Sequence, residues 1–158
     1  MNQDNLFASF RNHERFIREA LVEARMAADK GEVPVGAVVV LDGRIIGRGH
    51  NQVESLQDPT AHAEILAIGA ASSQGESWRL DQATLYVTLE PCTMCSGAIL
   101  LARVGKIVFG ASDPRAGAVV TTARILEGNP YQHPVEVVGG IMAEECGAIL
   151  SDFFKERR

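Results

Sequence analysis

Pro91-Cys92-Thr93-Met94-Cys95 stands where an alternating run, ATLYVTL at 83–89, gives way to an apolar helical run. His62-Ala63-Glu64 opens the helical run before it. Cys92 and Cys95, at i and i+3 in a first helical turn, share one helix face. A chain that uses these side chains together must fold so that two helix starts meet at one point.

The rest of the sequence supplies elements that can do this. Residues 12–30 repeat apolar positions (Phe16, Ile17, Ala20, Leu21, Ala24, Ala27, Ala28) with a helical period, with Asn12 as the expected N-cap and Gly31 as the stop. AVVVL and RIIGRG flank Asp42-Gly43, a strong hairpin signal. Residues 51–59 read as a polar loop, and Thr60 as the cap of a helix reaching about residue 73. Pro91 suits a first helical turn, so Cys92 to about Val104 reads as a helix. KIVFGA is a strand, 112–134 is mostly loop with a short helix near 121–127, and VEVVGG is a last strand. IMAEECGAILSDFFKER closes the chain as an amphipathic helix, with Met142, Cys146, Ala148, Leu150 and Phe153 or Phe154 facing inward. This order predicts an α/β fold: a single-domain three-layer α/β/α sandwich over 1–158, with one mixed sheet of about five strands.

Composition narrows the class. The 158 residues are 46% apolar and 22% charged, ordinary for a globular domain. No apolar run reaches the roughly 18 residues of a membrane span. The first residues show no basic segment followed by an apolar one, so a cytoplasmic setting is expected. Three cysteines do not make a disulfide framework, and Cys92-x-x-Cys95 reads as metal or redox chemistry. The net charge of −5 argues against a generally basic nucleic-acid binder. The acidity belongs to residues 1–102, with 13 acidic and 8 basic side chains; 103–158 hold 7 of each, and the closing FFKERR is locally basic.

Helix N-termini lower thiol pKa values, and thiolate with imidazole suits zinc. A structural zinc takes four protein ligands, whereas a catalytic one keeps three and an open position. His62, Cys92 and Cys95 make three. Glu64, two residues after His62, can sit beside the ion without binding it, as a general acid/base should. Two other readings exist: a redox pair, which leaves His62-x-Glu64 unexplained, and a structural zinc completed by His50 or Cys146. The combined H-x-E…P-C-x-x-C pattern resembles the signature of zinc deaminases that act on nucleobases.

The resemblance extends further. EVPVGAVVV at 32–40, G-x-G-H-N ending at Asn51, DPTAHAEILAI at 58–68, ATLYVTLEPCTMCSGAI at 83–99, VFGASDPRAG at 108–117 and LSDFFKERR at 150–158 resemble the bacterial tRNA adenosine deaminases of the TadA type, in the cytidine-deaminase-like superfamily. The resemblance implies a zinc-dependent homodimer that converts the wobble adenosine of a tRNA anticodon stem-loop to inosine. It also implies that Asn51 bonds the target nucleoside and that Leu89, Val35 and Pro34 wall the pocket. Asp113, Arg115 and His133 are expected against flanking nucleotides, and Phe153, Phe154 and Arg157 on an RNA-contacting helix. Each has a plainer reading: Asn51 as a turn residue, Val35 as sheet core, one of the two phenylalanines as core, Arg157 as solvated tail. The pattern departs from the family at 116–121, where Ala-Gly-Ala-Val-Val-Thr lacks the usual serine, and at Gln132. Deamination of a free base or nucleoside (guanine, cytosine, cytidine) is the competing expectation, because it would use the same His62 and Glu64.

Overall fold

The computed structural model describes residues 2–158. Its elements are α1 (Gln3–Asp29), β1 (Gly36–Leu41), β2 (Arg44–His50), α2 (Val53–Leu56), α3 (Ala63–Gln74), β3 (Thr84–Leu89), α4 (Thr93–Leu101), β4 (Lys106–Ala111), β5 (Glu136–Val138) and α5 (Ala143–Lys155). The strands form one mixed sheet in the order β2-β1-β3-β4-β5. β1 is antiparallel to both neighbours, and β3, β4 and β5 run parallel. This is the α/β/α sandwich with five strands that the sequence predicts.

The strands' two-residue period divides the core. Val38, Val40, Tyr86 and Val108 point to one face, where they pack with Phe16, Ile17 and Leu21 of α1 and Cys146 of α5. Ala37, Val39, Leu85, Val87, Ile107 and Phe109 point to the other, against Ala67 and Ile68 of α3 and Ile99 and Leu100 of α4. α3 lies directly on the hairpin: a Cβ at Gly49 would overlap the Ala63 carbonyl and the Ala67 amide. Gly49→Ala is therefore expected to cost about 1–3 kcal/mol through overpacking. A thermal melt unchanged from the parent would contradict that close approach.

Several boundaries differ from expectation. α1 begins at Gln3, and its cap is Asn2, whose side chain accepts from the Asn5 amide at 3.0 Å, rather than Asn12. Leu6, Phe7 and Phe10 in this first stretch are exposed, so the face that packs on the sheet begins only further along the helix, at His13 and Phe16. Thr60 does not cap α3; its amide and hydroxyl go to the Asp58 carboxylate at 2.8 and 2.7 Å, and His62 takes the N-cap position. Pro91 lies outside α4, whose N-cap is Cys92 and which ends before Arg103 turns to φ +57°. The loop at 51–59 contains the short α2. Residues 121–127 form turns, not a helix, because the nearby amides are drawn to a buried carboxylate described below. In α5, Cys146 and Phe153 are buried as expected, whereas Ala148 is exposed and Ile149 packs inward instead.

The topology gathers one edge of the sheet. Strands β3 and β4 end at Leu89 and Ala111, paired in register, and Gly36 at the start of β1 pairs with His50 at the end of β2. Ligand sites of α/β sheets form beyond such carboxyl ends, where helix starts converge.

Candidate active site

At that edge a cleft of about 520 Å³ opens, within the range of small-ligand sites. His62, Glu64 and Cys92 line it, with Asn51, Leu89 and Asp113 around them.

His62 and Cys92 are the N-cap residues of α3 and α4, and neither side chain makes a capping hydrogen bond. Both are thus free to turn toward one point. The His62 Nδ1 lies 3.6 Å from the Cys92 Sγ and 3.6 Å from the Cys95 Sγ. All three ligand atoms fall within 4.8 Å of one another, so the trio could hold a metal ion. Among the described residues no fourth His, Cys or carboxylate joins it. His50 is engaged elsewhere, with Glu23 at 2.9 Å and Lys30 at 3.1 Å. Cys146 is buried in the layer between α5 and the sheet, where desolvation pushes its thiol up to about 12.

The electrostatics of the trio are those of a site that favours thiolate. Hydrogen bonds from Cys95 and His62 pull the Cys92 thiol down to about 3. The Cys92 contact in turn raises His62. Cys95 is pushed well up, first by its contact with Cys92 and then by burial. The three side chains alone therefore sustain one thiolate readily and resist a second, and a divalent cation removes that resistance.

Glu64 occupies the second position of α3 and is only 4% exposed. Burial raises its pKa above that of an ordinary carboxyl. The Cys95 thiol is a hydrogen-bond partner of its carboxyl. A carboxyl that can gain and lose a proton beside a ligand cluster is suited to proton transfer.

Of the other residues singled out in the sequence, Asn51, Leu89, Asp113 and Arg157 line the cleft, as does Val35. The Asn51 side chain also serves its own turn, donating to the Val33 carbonyl at 3.3 Å and accepting from the Val53 amide at 3.4 Å. Asp113 accepts from the amides of Arg115 and Ala116 at 3.0 and 3.2 Å. Arg157 stacks on the Phe153 ring at 3.4 Å from its centroid. Phe153 is the core phenylalanine, 6% exposed, yet it too reaches the cleft wall; Phe154 is 48% exposed and outside it. Arg115 and His133 do not line the cleft. His133 donates from Nε2 to the Val104 carbonyl at 2.9 Å, at the start of β4 and so at the opposite end of the sheet. Pro34 is buried and does not line the cleft.

Two residues the sequence reading passed over are Glu32 and Glu90, both buried and both at the cleft. Glu32 accepts from the Glu54 and Ser55 amides at 2.9 and 2.8 Å and from the Ser55 hydroxyl at 2.6 Å, holding α2 in place. Glu90 does the same for the segment after β4. Burial opposes the charge on both, but the hydroxyl and amide donors outweigh it and hold both carboxyls low. Their signal was an acidic residue inside an otherwise apolar stretch, Glu32-Val-Pro-Val and Leu89-Glu90-Pro91.

The MafB19-like deaminase family model matches residues 11–158. The tRNA-specific adenosine deaminase of Bacillus subtilis (strain 168) is 52% identical over 145 residues, covering 92% of this chain and 90% of that protein. The chain belongs to this deaminase family. A solved tRNA:A34 deaminase, studied for A-to-I editing at the wobble position of transfer RNA, superposes with a TM-score of 0.83 at 47% identity, over 86% of this chain and 99% of that one. The guanine deaminase of Nitrosomonas europaea superposes with a TM-score of 0.74 at 23% identity, over 89% of this chain and 83% of that one, and shares the fold alone. The trio and the buried acid lie in the two motifs of the sequence, His62-Ala63-Glu64 and Pro91-Cys92-x-x-Cys95.

Proposed function

We propose that this deaminase hydrolyses the wobble adenosine of a tRNA anticodon to inosine, with His62, Cys92 and Cys95 holding one zinc ion and Glu64 moving the protons. The observation that carries the mechanism is the buried Glu64 carboxyl beside three ligand atoms and no fourth among the described residues. The relatives, tRNA-specific deaminases at about half identity over nine-tenths of the chain, carry the choice of base and carrier.

The trio fits zinc. Tetrahedral coordination at about 2.3 Å to sulfur and about 2.0 Å to nitrogen places neighbouring donors about 3.5–3.8 Å apart. The two nitrogen-to-sulfur distances of 3.6 Å meet that requirement. Zinc bound there supplies a Lewis acid that makes water more acidic. Glu64 takes the proton of the attacking water and delivers it to ring N1 as the bond from oxygen to C6 forms. It then carries the remaining proton from the oxygen on C6 to the exocyclic nitrogen; the C6–N bond breaks as the C6=O bond forms, and ammonia leaves. Asn51 and Leu89 hold the base, and Asp113 and Arg157 meet the RNA around it.

The exposed ring of Phe154 offers a stacking surface, and the resemblance supports a homodimer. Three free thiols suit a reducing cytoplasm. No helix of the described residues is long and apolar enough to cross a membrane. Phe154→Ala is expected to raise KM for an anticodon stem-loop about tenfold, as for loss of one stacked base, with an unchanged melt. Deleting the tail from residue 153 is not an equivalent test, because Phe153 belongs to the core. Turnover of Phe154→Ala at parental KM would remove the tail from the RNA surface.

The reading is tested by offering the protein a tRNA pool, adenosine, cytidine and guanine in separate reactions. Inosine at the wobble position of tRNA, without ammonia from the free compounds, is expected. Ammonia from a free base and intact adenosine in tRNA would replace the leading substrate with the competing one.

A further inference from the structure

We infer that Glu90 is a positioning residue: its carboxylate holds the 113–121 segment as the cleft wall that meets the nucleotides around the target. The inference rests on the RNA reading above for the identity of those nucleotides.

Glu90 is 2% exposed and receives five donors. Oε1 accepts from the Asp113 amide at 3.2 Å and from the Thr121 hydroxyl. Oε2 accepts from the amides of Val119, Val120 and Thr121 at 3.2, 2.9 and 3.0 Å. Residues 112–134 form no helix or strand, so their backbone amides have no ladder to satisfy them. The carboxylate substitutes for one, and its own backbone is fixed by the Glu90 amide on the Ala111 carbonyl at 2.8 Å. Gly117 permits the approach: a Cβ there would overlap the Glu90 carboxyl carbon.

Those bonds exhaust the acceptor capacity of a carboxylate. Glu90 thus differs from Glu64, although both line the cleft. It has no lone pair to offer a substrate proton, and what it controls is where Asp113 and Ala116 stand at the cleft. The apolar 118–120 stretch supplies only backbone donors, and Thr121 adds the one side-chain donor.

Glu90→Gln keeps the side chain's size but turns one acceptor into a donor facing backbone N–H groups. The expected result on an anticodon stem-loop is a KM about ten- to hundredfold higher with kcat within about threefold, the pattern of lost binding through a displaced contact. Zinc content stays at the parental value. Hydrogen exchange quickens at the amides of 119–121 while those of β3 and β4 remain protected. Thr121→Ser behaves as the parent, and Thr121→Val shifts KM in the same direction as Glu90→Gln by less. A parental KM in Glu90→Gln, or a collapse of kcat at unchanged KM, overturns the proposal. Should Glu90→Gln fail to fold, the Thr121 pair decides: equal KM values for valine and serine overturn it. Should the parent act only on a free base, the RNA reading falls, and exchange at 119–121 still judges Glu90. Fast exchange in Glu90→Gln supports it and parental protection overturns it.

Discussion

Glu64→Gln retains its metal and loses deamination by about two to four orders of magnitude, the range expected for removing a general acid/base. The glutamine fills the same space on the second position of α3 but cannot accept the water's proton or return one to the leaving nitrogen. Burial already disfavours the ionised form of Glu64, so replacing it with a neutral amide removes a desolvation cost. The variant should melt at or above the parental temperature, a gain in stability at the expense of function that is typical of active-site residues. Metal analysis, a melt and single-turnover kinetics on a stem-loop check the three statements together. Near-parental turnover would sink the assignment of Glu64, and loss of metal would make it a ligand instead.

Stripping the metal is expected to abolish activity and to lower stability, both restored by about one equivalent of zinc per chain. Cys95 helps Cys92 to ionise, and Cys92 in turn opposes ionisation of Cys95; zinc holds both as thiolates. Binding to the folded state alone stabilises it by about 4 kcal/mol at a thousandfold excess over Kd. Cys95→Ser should reproduce the stripped phenotype without rescue, because a hydroxyl is a poor substitute for thiolate on zinc. A chelated, zinc-free preparation that still makes inosine would refute the metal role altogether.

The features legible in the sequence were those with a short physical range. The Asp42-Gly43 hairpin, the alternating strands and the apolar periods of α1 and α5 each follow from neighbours a few residues apart. The metal trio was legible because both motifs sit at helix starts, and helix starts can be read locally. Thr60 and Asn12 were misplaced as caps because each is a good capping residue; Thr60 is claimed by Asp58, and Asn12 lies inside a helix that Asn2 opens earlier. The resemblance expects His133 beside the flanking nucleotides, and the structure ties it to the Val104 carbonyl. Glu32 and Glu90 stand out in the sequence only as acids within apolar stretches, and their partners are not legible there. Each serves a segment more than twenty residues away, and nothing in local spacing announces such a partner.

The interior acids also change what the net charge means for encounter with a polyanion. Four of the 20 acidic side chains, Glu23, Glu32, Glu64 and Glu90, are buried, while no lysine or arginine is buried among the described residues. The exterior is therefore nearly balanced between the two signs, although the chain as a whole carries −5. At physiological salt, interactions between exposed charges more than about 8 Å apart are largely screened. An approaching phosphate backbone responds mainly to what lies at the surface, so association should be slowed far less than the formal charge suggests.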